Sequence, residues 1–205
     1  GVDLAAFAVQ PLPPVADGAV FLMIAALDEA RGVLDYCEAA RRLKERAPRA
    51  EFLLAGPVAD GATAISADVL RPYSKAVTFL GALADVRATL ARSHVFVYPS
   101  HGEGMPRAVL EALAIGRPVI TTATPGCRET VDDCVNGMLV PSGNVPALED
   151  AMARILMRPD QLPSMARASR LKAERHFDEG RVLARWLQLL GFDTTQSQSA
   201  GSQAA

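Results

Sequence analysis

Short, mostly apolar runs alternate with amphipathic helical patterns along this chain, and few folds accommodate that rhythm. Residues 20–25, 51–55, 77–80, 95–98, 119–121 and 138–140 read as strands. Residues 33–46, 67–74, 84–92, 105–115, 145–156, 162–176 and 179–190 carry apolar side chains near helical spacing. Strands that are apolar throughout are expected where both faces of a sheet are covered. The alternation therefore predicts an α/β fold, a parallel sheet with helices on both faces. In such a sheet ligands bind beyond the carboxyl ends of the strands. The loops to search for function are then Arg31-Gly32, Gly56-Pro57, Leu80-Gly81, the segment around Glu103, and Thr124-Pro125-Gly126.

Size and charge bound the answer further. The chain has 205 residues, enough for one good core. Half of them are hydrophobic and 21% charged, as in ordinary globular domains. The formal net charge is −2, with no basic stripe interleaved with aromatics, which argues against nucleic acid as the main partner. No apolar run approaches the roughly 20 residues of a spanning helix, and no signal peptide is visible at Gly1. Cys37, Cys127 and Cys134 form no C-x-x-C pair. They are expected to be reduced thiols in a cytoplasmic setting, with a Cys127–Cys134 bridge as the alternative. Residues 1–17, with Pro11-Leu-Pro-Pro14, read as a linker in a chain that looks incomplete. Residues 18–192 read as the domain, and the polar stretch 193–205 as a disordered tail.

The densest chemistry lies in His101-Gly-Glu-Gly-Met-Pro-Arg107 and the helix after it. Gly104, Met105, Pro106 and Arg107 predict a helix start, with Pro106 in the first turn, where its missing N–H costs nothing. Free N–H groups and the positive dipole end suit a phosphate, and Gly104 lets a ligand approach the backbone. Glu103 and Glu111 flank this point and could accept hydroxyls from two sugars. A nucleotide-diphospho-sugar has that sequence of groups: hexose, diphosphate, ribose. Each residue also has a plainer explanation. Glu103 could be a solvated carboxylate near a helix start. Glu111 could pair with Arg107 four residues earlier. Arg31 could be an exposed cation, although a cation at a helix start opposes the dipole. His101 reads as a loop residue, and His94 and Met105, Met152, Met157 and Met165 as packing. Trp186 reads as an anchor of the last helix to the body.

Taken together, P-S-x-x-E-G-M-P-x-x-x-x-E-A-x-A-x-G-x-P-V-I, with Glu103 and Glu111 in E-x7-E, resembles the donor-site motif of retaining family 4 (group 1) glycosyltransferases. Val77-Thr-Phe-Leu-Gly81 through Asp85-Val86, Gly126-Cys-Arg-Glu-Thr-Val131 through Asn136-Gly137, and Gly1-Val-Asp through Phe7 resemble other segments of that family. The resemblance implies one half of a GT-B fold: a Rossmann-like, donor-binding C-terminal domain without its N-terminal acceptor domain. It implies transfer of a hexose from a nucleotide-diphospho-sugar to a glycan or lipid-linked acceptor, with retention, in bacterial surface polysaccharide synthesis. The acceptor would be met at the inner face of the membrane.

By this resemblance Glu103 takes the hexose hydroxyls and Arg31 the departing diphosphate, these two being the catalytic candidates. Gly104, Met105, Pro106, Arg107, Glu111 and Leu80 bind the donor, with Glu111 on the ribose and the stretch from Leu80 to Asp85 framing the base. Neither carboxylate needs a raised pKa for these roles. No D-x-D motif is present, and no metal or cofactor is expected. Two departures stand out. Ala26 occupies the place of a usual arginine, and Arg31 that of a usual lysine. Ala26 favours a second function, a nucleotide-sugar-binding module without turnover, and a sugar-nucleotide epimerase on the same fold is a third.

Overall fold

The computed structural model describes residues 1–15 and 18–192, so the tail expected at 193–205 lies outside the described residues. Six parallel strands form one sheet: β1 Val20–Ile24, β2 Glu51–Ala55, β3 Val77–Gly81, β4 Val95–Tyr98, β5 Val119–Thr122 and β6 Gly137–Val140. Their order is β3-β2-β1-β4-β5-β6. This is the Rossmann order, which reverses direction between β1 and β4 and opens a crevice there. Phe21 pairs with Val95 and Leu22 with Phe96 across that switch point.

The helices are α1 Val33–Arg46, α2 Ala67–Leu70, α3 Arg87–Arg92, α4 Arg107–Ile115, α5 Val145–Met157, α6 Leu162–Lys172 and α7 Glu179–Leu189. Several expected helices are shorter than their patterns. The 67–74 pattern tightens after Leu70 into a 3-10 turn, Arg71–Tyr73. The 84–92 helix starts only at Arg87, because the Asp85 carboxylate accepts the Arg87 N–H at 2.9 Å and holds the chain in a turn before it. The 162–176 helix loosens after Lys172 into a π-helical turn, Ala173–Phe177.

The core is continuous across the sheet. Phe21, Leu22 and Met23 of β1 and Val95, Phe96 and Val97 of β4 are fully buried, as a sheet covered on both faces requires. His94 packs as expected. Its Nδ1 accepts the Val20 N–H at 2.9 Å, so Nε2 carries the proton and donates to the Pro13 carbonyl at 3.2 Å. Met152 and Met165 are buried, but Met105 and Met157 are exposed and do not pack. Trp186 does not anchor the last helix: it is 60% exposed, and α7 buries no residue at all. All three cysteines are free, with Cys37 and Cys127 buried and Cys134 exposed.

The amino-terminal segment is bound along the domain. Val2 is buried, and Leu4, Phe7, Leu12 and Val15 pack against the core. Two arginines rivet it. Arg117, fully buried, donates all five guanidinium N–H groups to carbonyls, those of Gln10, Pro11, Leu90, Ala91 and Gly116, at 2.9–3.2 Å. Burial without a carboxylate partner pulls its pKa down to about 10. Arg170 donates to the Phe7 and Ala114 carbonyls at 3.0 and 2.8 Å.

Candidate functional site

Two loops meet over the β1/β4 crevice. The first follows β1. The Asp28 carboxylate accepts the Ala30 N–H at 2.8 Å and caps a 3-10 turn, Glu29–Arg31, that ends in Gly32 at φ 72°. Asp28 also accepts the Thr63 hydroxyl, tying this turn to the loop after β2. A side chain on Gly32 would collide with the Pro99 carbonyl oxygen at 2.0 Å, so only glycine lets the turn lie against the end of β4. Arg31 is thereby fixed at the crevice.

The second loop follows β4. Its first part is held down by hydroxyls: Ser100 Oγ donates to the Ala30 carbonyl at 3.2 Å, and Thr122 Oγ1 to the Ser100 carbonyl at 2.6 Å. His101 is a loop residue as expected, pinned to α1 by Nε2···Oδ2 of Asp35 at 2.7 Å. Gly126, at φ 83°, backs the tip from the loop after β5. A Cβ there would lie 2.4–2.5 Å from the carbonyl oxygens of Gly104 and Glu103. A Cβ on Gly104 would meet nothing within 4 Å, so the opposite side of the tip is open to an approaching group.

Arg31 and Glu103 join across the crevice in an ion pair between Nη1 and Oε2. The Glu103 side chain is only 17% exposed, and its second oxygen, Oε1, is buried without a hydrogen-bond partner among the described residues. A buried carboxylate oxygen left unbonded is costly, and it marks a place where a ligand hydroxyl would be stabilising. The buried Tyr98 phenol stands beside the pair, its pKa pushed up by burial first and then by the Glu103 carboxylate.

Helix α4 begins two residues later than its pattern. Pro106 is not in the first turn but at the N-cap, extended at φ −74° and ψ 117°, because a ψ near 120° aligns the chain for entry and leaves Arg107 as the first helical residue. The N–H groups of Arg107 and Ala108 therefore have no partner within the helix. Arg107 Nε donates to Glu111 Oε1 at 3.0 Å, so the plainer pairing of these two residues does form. Arg107 is itself 83% exposed and turned along the helix toward Glu111. Burial raises the Glu111 pKa, against the pull of Arg107. A carboxylate that has lost part of its water binds a hydroxyl donor more strongly.

Leu80 packs against the core, while its neighbours Phe79 and Gly81 line a cavity of about 280 Å³ under α2. A further cavity of about 600 Å³ lies away from the rim, between Val9–Leu12 and α6. No group of three His, Cys, Asp or Glu residues suited to a metal occurs among the described residues. No helix among them is long and apolar enough to cross a membrane. Sequence reasoning missed Asp28, Thr63 and Tyr98. Asp28 had a usable signal, an acidic N-cap ahead of the turn that bears Arg31.

The fold and rim define a Rossmann-like domain that presents a cation, a helix N-terminus and two carboxylates at its switch point. The profile described as Glycosyl transferases group 1 matches residues 18–158, and the chain belongs to that family. It is 29% identical over 170 residues to the N,N'-diacetylbacillosaminyl-diphospho-undecaprenol alpha-1,3-N-acetylgalactosaminyltransferase of Campylobacter jejuni, covering 83% of this chain and 44% of that protein. It is 32% identical over 203 residues to the putative colanic acid biosynthesis glycosyltransferase WcaL of Escherichia coli, covering 93% and 50%. Among solved structures, Anabaena Alr3699/HepE in complex with UDP superposes with a TM-score of 0.80 at 21% identity, over 93% of this chain and 56% of that one. These matches establish the fold as one half of a GT-B glycosyltransferase, and the chain spans about half the length of the curated relatives it matches.

Proposed function

We propose that this chain is the donor-binding half of a glycosyltransferase that moves a hexose from a nucleotide-diphospho-sugar to a glycan or lipid-linked acceptor, with retention of configuration. The observation that carries the reading is the unbonded, buried Glu103 oxygen beside Arg31 at the switch point. In this reading Glu103 accepts hexose hydroxyls and Glu111 those of the ribose. As the bond from the anomeric carbon to the diphosphate breaks, negative charge grows on the leaving oxygen. Arg31 and the free N–H groups at the start of α4 are fixed in place to receive it, which lowers the barrier. The acceptor hydroxyl oxygen then bonds the anomeric carbon on the same face, and its proton passes to the departing diphosphate oxygen.

A second half of the protein, binding the acceptor, completes the enzyme, and the isolated chain is inactive in transfer. The UDP and UDP-glucose held by the Anabaena neighbour support a nucleotide-sugar donor. The polysaccharide roles in the names of the Escherichia coli and Erwinia amylovora relatives support synthesis of a bacterial surface glycan, on the cytoplasmic side of the membrane.

Ala26 favours a second reading, a module that binds the donor without turning it over, because one of two expected cations is missing. Substituting Ala26→Arg in the protein with its acceptor-binding half separates the two. A large rise in turnover means the cation was limiting, whereas high turnover beforehand removes the second reading. For the main reading, calorimetry of this chain with UDP, GDP and their sugar conjugates is the test. Glu111→Ala is expected to weaken binding of every ligand, and Glu103→Ala that of the sugar conjugates alone. Equal, negligible effects of both variants on all ligands would refute the assigned roles.

A further inference from the structure

The Arg31–Glu103 pair joins two groups that belong, under the proposed function, to different parts of the donor: the cation to the diphosphate, the carboxylate to the sugar. A carboxylate that neutralises the guanidinium weakens its pull on a diphosphate. A diphosphate that draws the guanidinium away strips a largely buried carboxylate of its ion pair and leaves it only the neutral Tyr98 phenol as a neighbour, when Oε1 already lacks a hydrogen-bond partner among the described residues. Leaving such a group unpaired is costly. Sugar hydroxyls remove that cost, because they donate to Glu103 as Arg31 turns to the phosphates. A nucleoside diphosphate without a sugar cannot.

We infer that Glu103 is a specificity-determining residue, which through its pairing with Arg31 disfavours the bare nucleoside diphosphate and favours the sugar-bearing donor. The inference rests on reading this rim as the donor site. The surroundings leave the pair little room to avoid the competition. Asp28 caps the turn that carries Arg31, and Gly126 blocks retreat of the Glu103 backbone. A transferase gains from the arrangement, since its product is the ligand that is held less well, and discrimination between two ligands is a difference of affinities.

Calorimetry with UDP, GDP, UDP-glucose and GDP-mannose on this chain and on Glu103→Gln, Arg31→Gln and the double variant tests the inference. Glutamine keeps the shape of Glu103 and removes its charge. Glu103→Gln is expected to bind the bare diphosphate about three- to tenfold tighter than wild type, with no gain for the sugar conjugate. The gain is expected to vanish in the Arg31→Gln background. Glu103→Asp, which retracts the carboxylate, provides a second variant and a smaller gain. Equal or weaker diphosphate binding by Glu103→Gln, or a gain that persists without Arg31, overturns the inference while the donor-site reading stands. Failure of the wild-type chain to bind any of the four ligands overturns both.

Discussion

Helices α4 and α7 are both rich in apolar residues, yet they sit in the molecule in opposite ways. In α4, Val109, Leu110, Ala112, Leu113, Ala114 and Ile115 are buried against the sheet and its neighbours. In α7 nothing is buried, and Leu183, Trp186 and Leu189 are exposed along it, followed by Leu190 and Phe192. An apolar stripe tells that a helix has a face to hide; it does not tell which surface hides it. The packing of α4 also does something that of α7 cannot. It fixes a helix N-terminus at the crevice, so burial at one end of α4 becomes preorganised N–H donors at the other.

The contrast predicts a graded series of effects on this chain. Leu113→Ala, in the fully buried face of α4, is expected to cost about 2–5 kcal/mol in urea unfolding. A cost below about 1 kcal/mol would mean that α4 is packed more loosely than its burial implies. Arg117→Met follows, at about 1–3 kcal/mol, because it orphans carbonyls from the amino-terminal segment and from α3. Limited proteolysis should then cut near Gln10 and Pro11 first.

A pH dependence comes next. Burial lowers the folded pKa of His94 below its ordinary 6.5. The unfolded chain therefore binds the proton first as pH falls. Stability is expected to decline as pH drops below about 6.5 and to level off below the folded pKa. Unfolding at pH 7 and pH 5 checks this, and the slope should shrink in His94→Gln. Smallest of all, Trp186→Ala and Leu183→Ser on α7 are expected to shift stability by no more than about 0.5 kcal/mol. A larger loss would show that α7 packs on this domain in solution.

The sequence made the sheet legible because its strands are continuous apolar runs bounded by glycine and proline, and all six were placed nearly to the residue. Helix boundaries were less legible at Pro106 and Asp85, where a single φ/ψ value or one capping bond decides the start. Glu103 and Arg31 could be assigned to one rim from topology alone. Their direct pairing could not, since it depends on Gly32 and Gly126 closing two loops to contact distance. Arg117 was invisible for a related reason. It stands between Gly116 and Pro118, where the helix stops, and its partners are backbone carbonyls, which leave no mark in a sequence. Trp186 misled because helical periodicity says nothing about the neighbour a helix receives.

Gly126 touches the Glu103–Gly104 tip main chain to main chain, with no side chain between them to absorb a change. Altering the length or sequence of the loop after β5 would therefore shift Glu103 bodily, and with it the grip on any polyol. A change of sugar preference has an easier route through substitutions facing the unobstructed side of Gly104, where new bulk displaces only solvent. Engineering that grafts the loop after β4 without its buttress should yield a well-folded protein with a misaligned carboxylate.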